Sequence, residues 1–351
     1  MKMAKAKINH KFLKELTDAT GIPGFEDEIQ KIVSRELKKI CKTVEIDPMG
    51  NVIGFKPGDL KGKKLKIMLA GHMDEIGFII NHVDDNGFLR IVPLGGFDPR
   101  TLMAQRVWIV TQKGEKLPGL MNLGAKPIHL LTEAEKNKAA QITDYYVETG
   151  LPADDVKKKI EIGDFVGMNR EYMEIGDCVT NKAMDNRVGI FTMIEALKQV
   201  TNNKHDIYAV GTVQEEVGLR GATTSSFGIE PDIAVALDVT LSVDIPGCEP
   251  HYAVSKLREG IGIKISDSST ISDRKLVDEF RNLAKQKKIT HQMEILPRGG
   301  TDAGAMQRSR SGCRAITLSV PTRYVHSVNE MCSVDDIASG IDLLAAWLGK
   351  Y

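Results

Sequence analysis

The chain has 351 residues, 42% hydrophobic and 27% charged, an ordinary globular balance with length enough for two domains. Its 47 basic and 47 acidic residues cancel, which argues against a general binder of nucleic acid or anionic membrane, since such proteins carry a basic excess. No run of 18 apolar residues occurs, the basic stretch 1–11 has no apolar signal core behind it, and the five cysteines are widely spaced with no CxxC. The expectation is a cytoplasmic protein with reduced thiols, no disulfide frame and no thiolate zinc site.

Apolar periodicity predicts helices over 8–21 and 25–41, the second with Ile29, Ile32, Val33 and Leu37 on one face. Short strands follow at 43–47, 51–55 and 66–70. The last is nearly continuously apolar, as in a sheet covered on both sides. From about 76 to 165 the pattern shifts to short alternating strands punctuated by Asp85-Asn86-Gly87, Gly95-Gly96, Lys113-Gly114 and Pro118-Gly119. Strands and helices then alternate: helix 186–200, strands 206–213 and 232–238, strand 261–265, helix 273–287, strands 291–295 and 314–320, and helix 334–349. The expected fold is α/β, a central mostly parallel sheet flanked by helices with a small β-rich domain inserted. The catalytic domain is expected over 1–74 and 166–351, and the insert over 75–165.

Five places carry candidate chemistry. They are His72 with Asp74 after strand 66–70, Asp185 before helix 186–200, and the adjacent Glu215 and Glu216 after strand 206–213. Asp238 ends strand 232–238, and His326 follows strand 314–320. Four of the five sit at predicted carboxyl ends of strands, where open α/β sheets bind ligands. Taken singly, each has a plainer explanation. Either histidine suits a surface hydrogen bond, Asp238 a turn, and Asp185 a helix N-cap. Adjacent acids at the end of a buried strand are costlier, because they need a positive partner. Imidazoles and carboxylates without thiolate suit zinc, cobalt or manganese. Five such ligands exceed the need of one open tetrahedral zinc, but serve two ions about 3.5–4 Å apart if one carboxylate bridges. Adjacent residues on a regular strand face opposite ways, so Glu215 and Glu216 can share a site only if the backbone breaks near Gln214.

The motifs Gly71-His72-Met73-Asp74-Glu75-Ile76-Gly77, Ala183-Met184-Asp185-Asn186-Arg187, Gln214-Glu215-Glu216-Val217-Gly218, Gly299-Gly300-Thr301-Asp302-Ala303-Gly304 and Tyr324-Val325-His326-Ser327 stand in order along the chain. Together they resemble the M42 aminopeptidases, the glutamyl- and leucyl-type enzymes that assemble into tetrahedral particles, and the resemblance spans nearly the whole sequence. It implies that His72, Asp185 and Asp238 hold one divalent ion, and that Asp185, Glu216 and His326 hold the other, with zinc or cobalt the expected metals. Glu215 is implied as general base and acid, and Asp74 as the carboxylate that orients His72. Peptides are the implied substrates. The insert is implied to be a PDZ-like or β-barrel dimerisation domain of a homo-oligomer, a dodecamer in the family's usual form. A dinuclear deacylase or carboxypeptidase would use the same ligands and stays open as an alternative. A glycosidase would need two free carboxylates flanking the bond, and here nearly every candidate acid is claimed by metal. Lys256, Arg258 and Arg298 are candidates for a pocket selecting acidic N-terminal residues.

Overall fold

The computed structural model describes residues 8–351. Its centre is an eleven-stranded mixed sheet. The middle strands Asp206–Thr212, Lys66–His72, Ile233–Leu241 and Arg314–Arg323 run parallel to one another. On one flank Val52–Lys56 and Thr43–Ile46 add antiparallel. On the other, Glu330–Ser333, Cys178–Asn181 and Met173–Ile175 do the same. The pair Ile261–Ser266 and His291–Ile295 branches from Arg314–Arg323.

Alternation along the central strands divides the core into two layers. Ile67, Leu69, Val235 and Leu237 face one side, where they meet Leu13 and Leu16 of helix His10–Asp18, Val33 of Asp27–Leu37, Phe191 of Met184–Gln199 and Trp347 of Val334–Leu348. Met68, Ala70, Ala234 and Ala236 face the other, against Ala222 of Arg220–Ile229 and Ala303 and Met306 of Asp302–Gln307. Strands buried on both faces need apolar residues at successive positions, which is why these runs are continuous rather than alternating.

Between Gly77 and Met168, six strands close into a barrel in the order Gly77–Val83, Leu89–Leu94, Tyr145–Glu148, Lys116–Leu123, Gln105–Val110, Phe165–Met168. It has its own apolar interior of Phe78, Ile80, Leu89, Val107, Ile109, Met121 and Val147. The barrel also buries Val328, which lies two residues beyond His326, so this body packs against the edge of the candidate site.

One expectation changes, and one plainer reading fails. Asp238 does not end its strand, because Ile233–Leu241 continues three residues further, paired with Arg314–Arg323 along its whole length. Its register with Lys66–His72 stops at Ala236↔Ala70, and the next carbonyl, that of Leu237, accepts from Asn186 Nδ2 instead. Nor does Asp185 cap a helix: its backbone (φ −76, ψ 108) is non-helical, and its carboxylate is turned toward the histidines. Asn186 takes the capping part, its Oδ1 accepting the Gly189 N–H at 3.1 Å while its Nδ2 donates to the Leu237 carbonyl at 2.7 Å.

Candidate metal centre

Strands Asp206–Thr212 and Lys66–His72 end together, with Thr212 opposite His72 in register, and the site is built at this edge of the sheet. His72, 2% exposed, is the hub. Its Nε2 lies 3.1 Å from Asp185 Oδ1, 3.8 Å from Asp238 Oδ1 and 4.0 Å from Glu215 Oε2. On the far side, His326 Nε2 lies 3.3 Å from Glu216 Oε1 and 3.6 Å from Asp185 Oδ2. Asp185 thus presents one carboxylate oxygen to each histidine.

The acidic pair reaches this position through a break in the strand. Regular pairing ends at Thr212, and Gln214 adopts φ 55, in the left-handed region. Glu215 and Glu216 then lie in a turn instead of alternating across a strand. Gly221 must be small for that turn to close, because a Cβ there would lie 2.5 Å from the Val213 backbone and 2.2 Å from Asn51 Oδ1. Asp74 holds the turn from below: its Oδ1 accepts the Glu215 N–H and its Oδ2 the Glu216 N–H, both at 3.0 Å. The same carboxylate is 3.5 Å from His72 Nδ1, while the Asp74 carbonyl oxygen is nearer that nitrogen at 3.1 Å. Beneath these residues Lys182 and Glu75 form a fully buried ion pair, with Nζ 2.7 and 2.6 Å from the two carboxylate oxygens.

The electrostatics of the cluster lack positive charge. Among the described residues no lysine or arginine forms an ion pair with Asp185, Glu215, Glu216 or Asp238; their only cationic partners are His72 and His326. Burial pushes the Glu215 and Asp238 carboxyls well above the usual range, and the neighbouring acids add to it although His72 opposes. Burial pulls the His326 imidazole down, but its hydrogen bond to Glu216 and the charges of Glu216 and Asp185 outweigh this and lift it to about 10. His72 is likewise driven well above its ordinary value against its own burial, by Glu215, Asp185 and Asp74. Donor atoms in three groups lie within 4.8 Å of one another: His72, Asp185 and Asp238; Asp185, Glu216 and His326; and His72, Glu215 and Glu216. All are nitrogen or carboxylate oxygen donors, the set that divalent transition metals accept. The residues fit such ions.

A cavity of about 530 Å³ opens over the cluster. Leu219, Val239, Leu241, Leu296 and Val325 supply apolar walls, Gly299, Gly300 and Thr301 a polar turn, and Arg298 an exposed cation. Of the three basic residues considered for this pocket, only Arg298 lines it. Arg258 is turned away into a bidentate pair with Asp177 (Nε to Oδ2 at 2.7 Å), and the Lys256 backbone bonds Gln292 outside the cavity. On the barrel side, Gly96 closes over the site, where an added Cβ would lie 3.5 Å from His326 Nδ1.

One buried acid escaped the sequence reading. Glu330, 1% exposed, accepts the backbone N–H of Asp185 at 2.9 Å and that of His326 at 2.8 Å. The only local signal was a carboxylate four residues beyond His326, which looks like any loop acid until the two chain segments are brought together.

A sheet edge carrying two histidines and four carboxylates under an open cleft is the construction of an α/β metallohydrolase. The chain matches the model of the M42 glutamyl aminopeptidase family over residues 50–343. It is 35% identical over 348 residues to the lysyl aminopeptidase of Pyrococcus furiosus, an alignment covering 97% of each chain. Among solved structures it resembles an aminopeptidase from the archaeon Desulfurococcus kamchatkensis, with TM-score 0.92 and 36% identity over 97% of this chain and 94% of that one. It also resembles the TET1 peptidase of Pyrococcus horikoshii, which can assemble into a tetrahedron or a large octahedral shell, with TM-score 0.86 and 31% identity over 97% and 99%. The chain belongs to the M42 peptidase family and is a peptide hydrolase of that type.

Proposed function

We propose that this protein is a dinuclear-metal aminopeptidase that removes N-terminal residues from peptides. The observation that carries the reading is the division of the donors: His72, Asp185 and Asp238 form one group and Asp185, Glu216 and His326 another, with Glu215 beside both. Asp185 would be shared between two ions, zinc or cobalt by the donor chemistry. Bound there, such ions supply electrophilic activation of the scissile carbonyl and of the attacking water.

The protein's own contribution is positioning and proton transfer. Glu215, 11% exposed at its side chain, borders the cavity and is held at its amide by Asp74. In the proposed reaction its carboxylate accepts the proton of the attacking water and returns it to the departing amine. Burial drives its proton affinity upward, the neighbouring acids add to this, and His72 opposes it. The remaining carboxylates attract the substrate's α-ammonium, and the apolar walls take the N-terminal side chain. Asp74 serves by orienting both His72 and the Glu215–Glu216 turn.

We further propose that the insert expected over 75–165, whose last barrel strand Phe165–Met168 runs three residues beyond that bound, forms a dimerisation domain on the catalytic body expected over 1–74 and 166–351. Such dimers would build a tetrahedral dodecamer, and the protein would work in the cytoplasm. The shell-forming relative supports the assembly, and the apolar residues Leu120, Ile128 and Leu130, exposed on the insert, offer contact surface.

The test is hydrolysis of a free and an N-acetylated peptide of the same sequence, before and after metal removal. The loaded protein should release the N-terminal residue of the free peptide alone. The stripped protein should be inactive with its circular dichroism spectrum retained. Cleavage of the acetylated peptide would favour a deacylase or carboxypeptidase, and full activity with no metal by elemental analysis would end the metal reading.

A further inference from the structure

Glu330 does not line the cavity, yet both of its oxygens are committed to the site. Oε2 accepts from Asp185 N and Oε1 from His326 N. One partner is 145 residues away in sequence and the other only four. Glu330 opens the strand Glu330–Ser333, where it pairs with Asn181, the residue that leads into the Asp185 turn. It therefore sits at the junction of the two segments that carry those side chains.

We propose that Glu330 is a positioning residue that fixes the separation of Asp185 and His326, and so sets the affinity of the Asp185–Glu216–His326 group for a divalent ion. The proposal rests on the dinuclear reading above. An ion with donors at about 2.0–2.2 Å in tetrahedral array needs donor pairs about 3.3–3.6 Å apart. The separations in this group, 3.3 Å from His326 to Glu216 and 3.6 Å from His326 to Asp185, already meet that spacing.

Local backbone preference would not hold it. His326 has φ 62 and Tyr324 φ 60, a region that side-chain-bearing residues seldom occupy unaided. Asp185 likewise lies outside helical geometry at the start of its helix. In both cases the amide that Glu330 grips adjoins the Cα bearing the donor side chain, so holding the N–H fixes the direction in which that side chain leaves the backbone. One rigid carboxylate thus sets both directions together. The group of His72, Asp185 and Asp238 shares only Asp185 with this clamp, and its other two donors are held by regular strands.

The experiment is calorimetric titration of zinc into chelator-stripped wild type and Glu330→Gln, with thermal unfolding of both metal-free proteins alongside. Glutamine keeps the length and one acceptor oxygen but turns the other position into a donor facing an N–H. Wild type should bind two ions. In the variant one step should stay within about threefold and the other weaken by about 10- to 100-fold, the usual effect of losing a residue that orients metal ligands. Activity should return as zinc is raised, since the ligands are intact. Two unchanged steps, or two steps weakened equally, would overturn the proposal, because Glu330 would then serve only the fold. If Glu330→Gln does not fold, Glu330→Asp, with both acceptors on a shorter stem, is read by the same criterion. Fewer than two ions in wild type would instead overturn the dinuclear reading and this inference with it.

Discussion

Asp74 Oδ1 accepts the backbone N–H of Glu215 at 3.0 Å, so the acid after one strand sets the position of the acid after its neighbour. Its other oxygen does the same for Glu216. A side chain 0% exposed therefore turns an otherwise unsupported bend into a fixed platform, with both oxygens accepting from half-buried amides.

Replacing Asp74 tests this platform. Asp74→Ala should destabilise the metal-free protein by about 1–3 kcal/mol, since two half-buried amides lose their charged acceptor. Asp74→Asn, which retains one acceptor oxygen, should recover part of the loss. Urea unfolding measures the stability, and kcat should fall more than KM changes in both variants. Equal stability of Asp74→Ala and wild type would contradict the account.

Glu215 and Asp185 should fail in different ways. Glu215→Gln removes the proposed proton carrier while leaving the proposed ligands, so kcat should drop by about 10²–10⁴-fold with two ions retained. Asp185→Asn should lose metal itself. Elemental analysis beside rates on an aminoacyl chromogenic substrate separates the two. A fully active Glu215→Gln would remove Glu215 from the mechanism.

A pH-dependent stability effect should come from Glu26. Its Oε1 accepts N–H groups from Gly24 at 2.9 Å and Gln214 at 3.2 Å, and burial raises its carboxyl to about 7, with Asp74 adding to the rise. A folded-state value above the unfolded one means that the favourable protonated form is fully present below about pH 4.5 and is lost as pH rises through 7. Glu26→Gln keeps the accepting oxygen and cannot ionise. In metal-free protein it should match wild type near pH 4 and become more stable by on the order of 2–3 kcal/mol by pH 8. Denaturant midpoints across that range would show the divergence, and a constant difference at all pH would refute it.

Arg298 should influence which N-terminal residues are accepted. It lines the cavity, is exposed, and pairs with no carboxylate among the described residues. A lone cation there should disfavour lysine and arginine side chains in the cleft. Arg298→Glu should raise kcat/KM for N-terminal lysine relative to leucine by about three- to tenfold, the scale of a solvent-screened charge reversal. An unchanged ratio across a substrate panel would place selectivity with the apolar walls.

Short-range patterns carry the α/β class, the β-rich insert and the histidines and acids that the fold gathers at one edge of the sheet. Continuous apolar runs mark strands buried on both faces, and His72, Glu215 and Glu216 lie within four residues of where theirs end. The bend at Gln214 was legible for the same reason, since adjacent acids cannot share one side of a regular strand. What the tertiary structure alone decided depends on segments far apart in the chain. Asp238 faces the site from within a strand, two residues past the point where that strand's register with Lys66–His72 stops. Arg258 is withdrawn by Asp177 while Arg298 is not, a difference that local sequence does not carry. Glu330 gained a place at the site only when folding closed a 145-residue gap to Asp185. Hydrogen bonds of this kind satisfy buried amides wherever the fold strands them, and the partner they choose is set by register and packing, not by any neighbour along the chain.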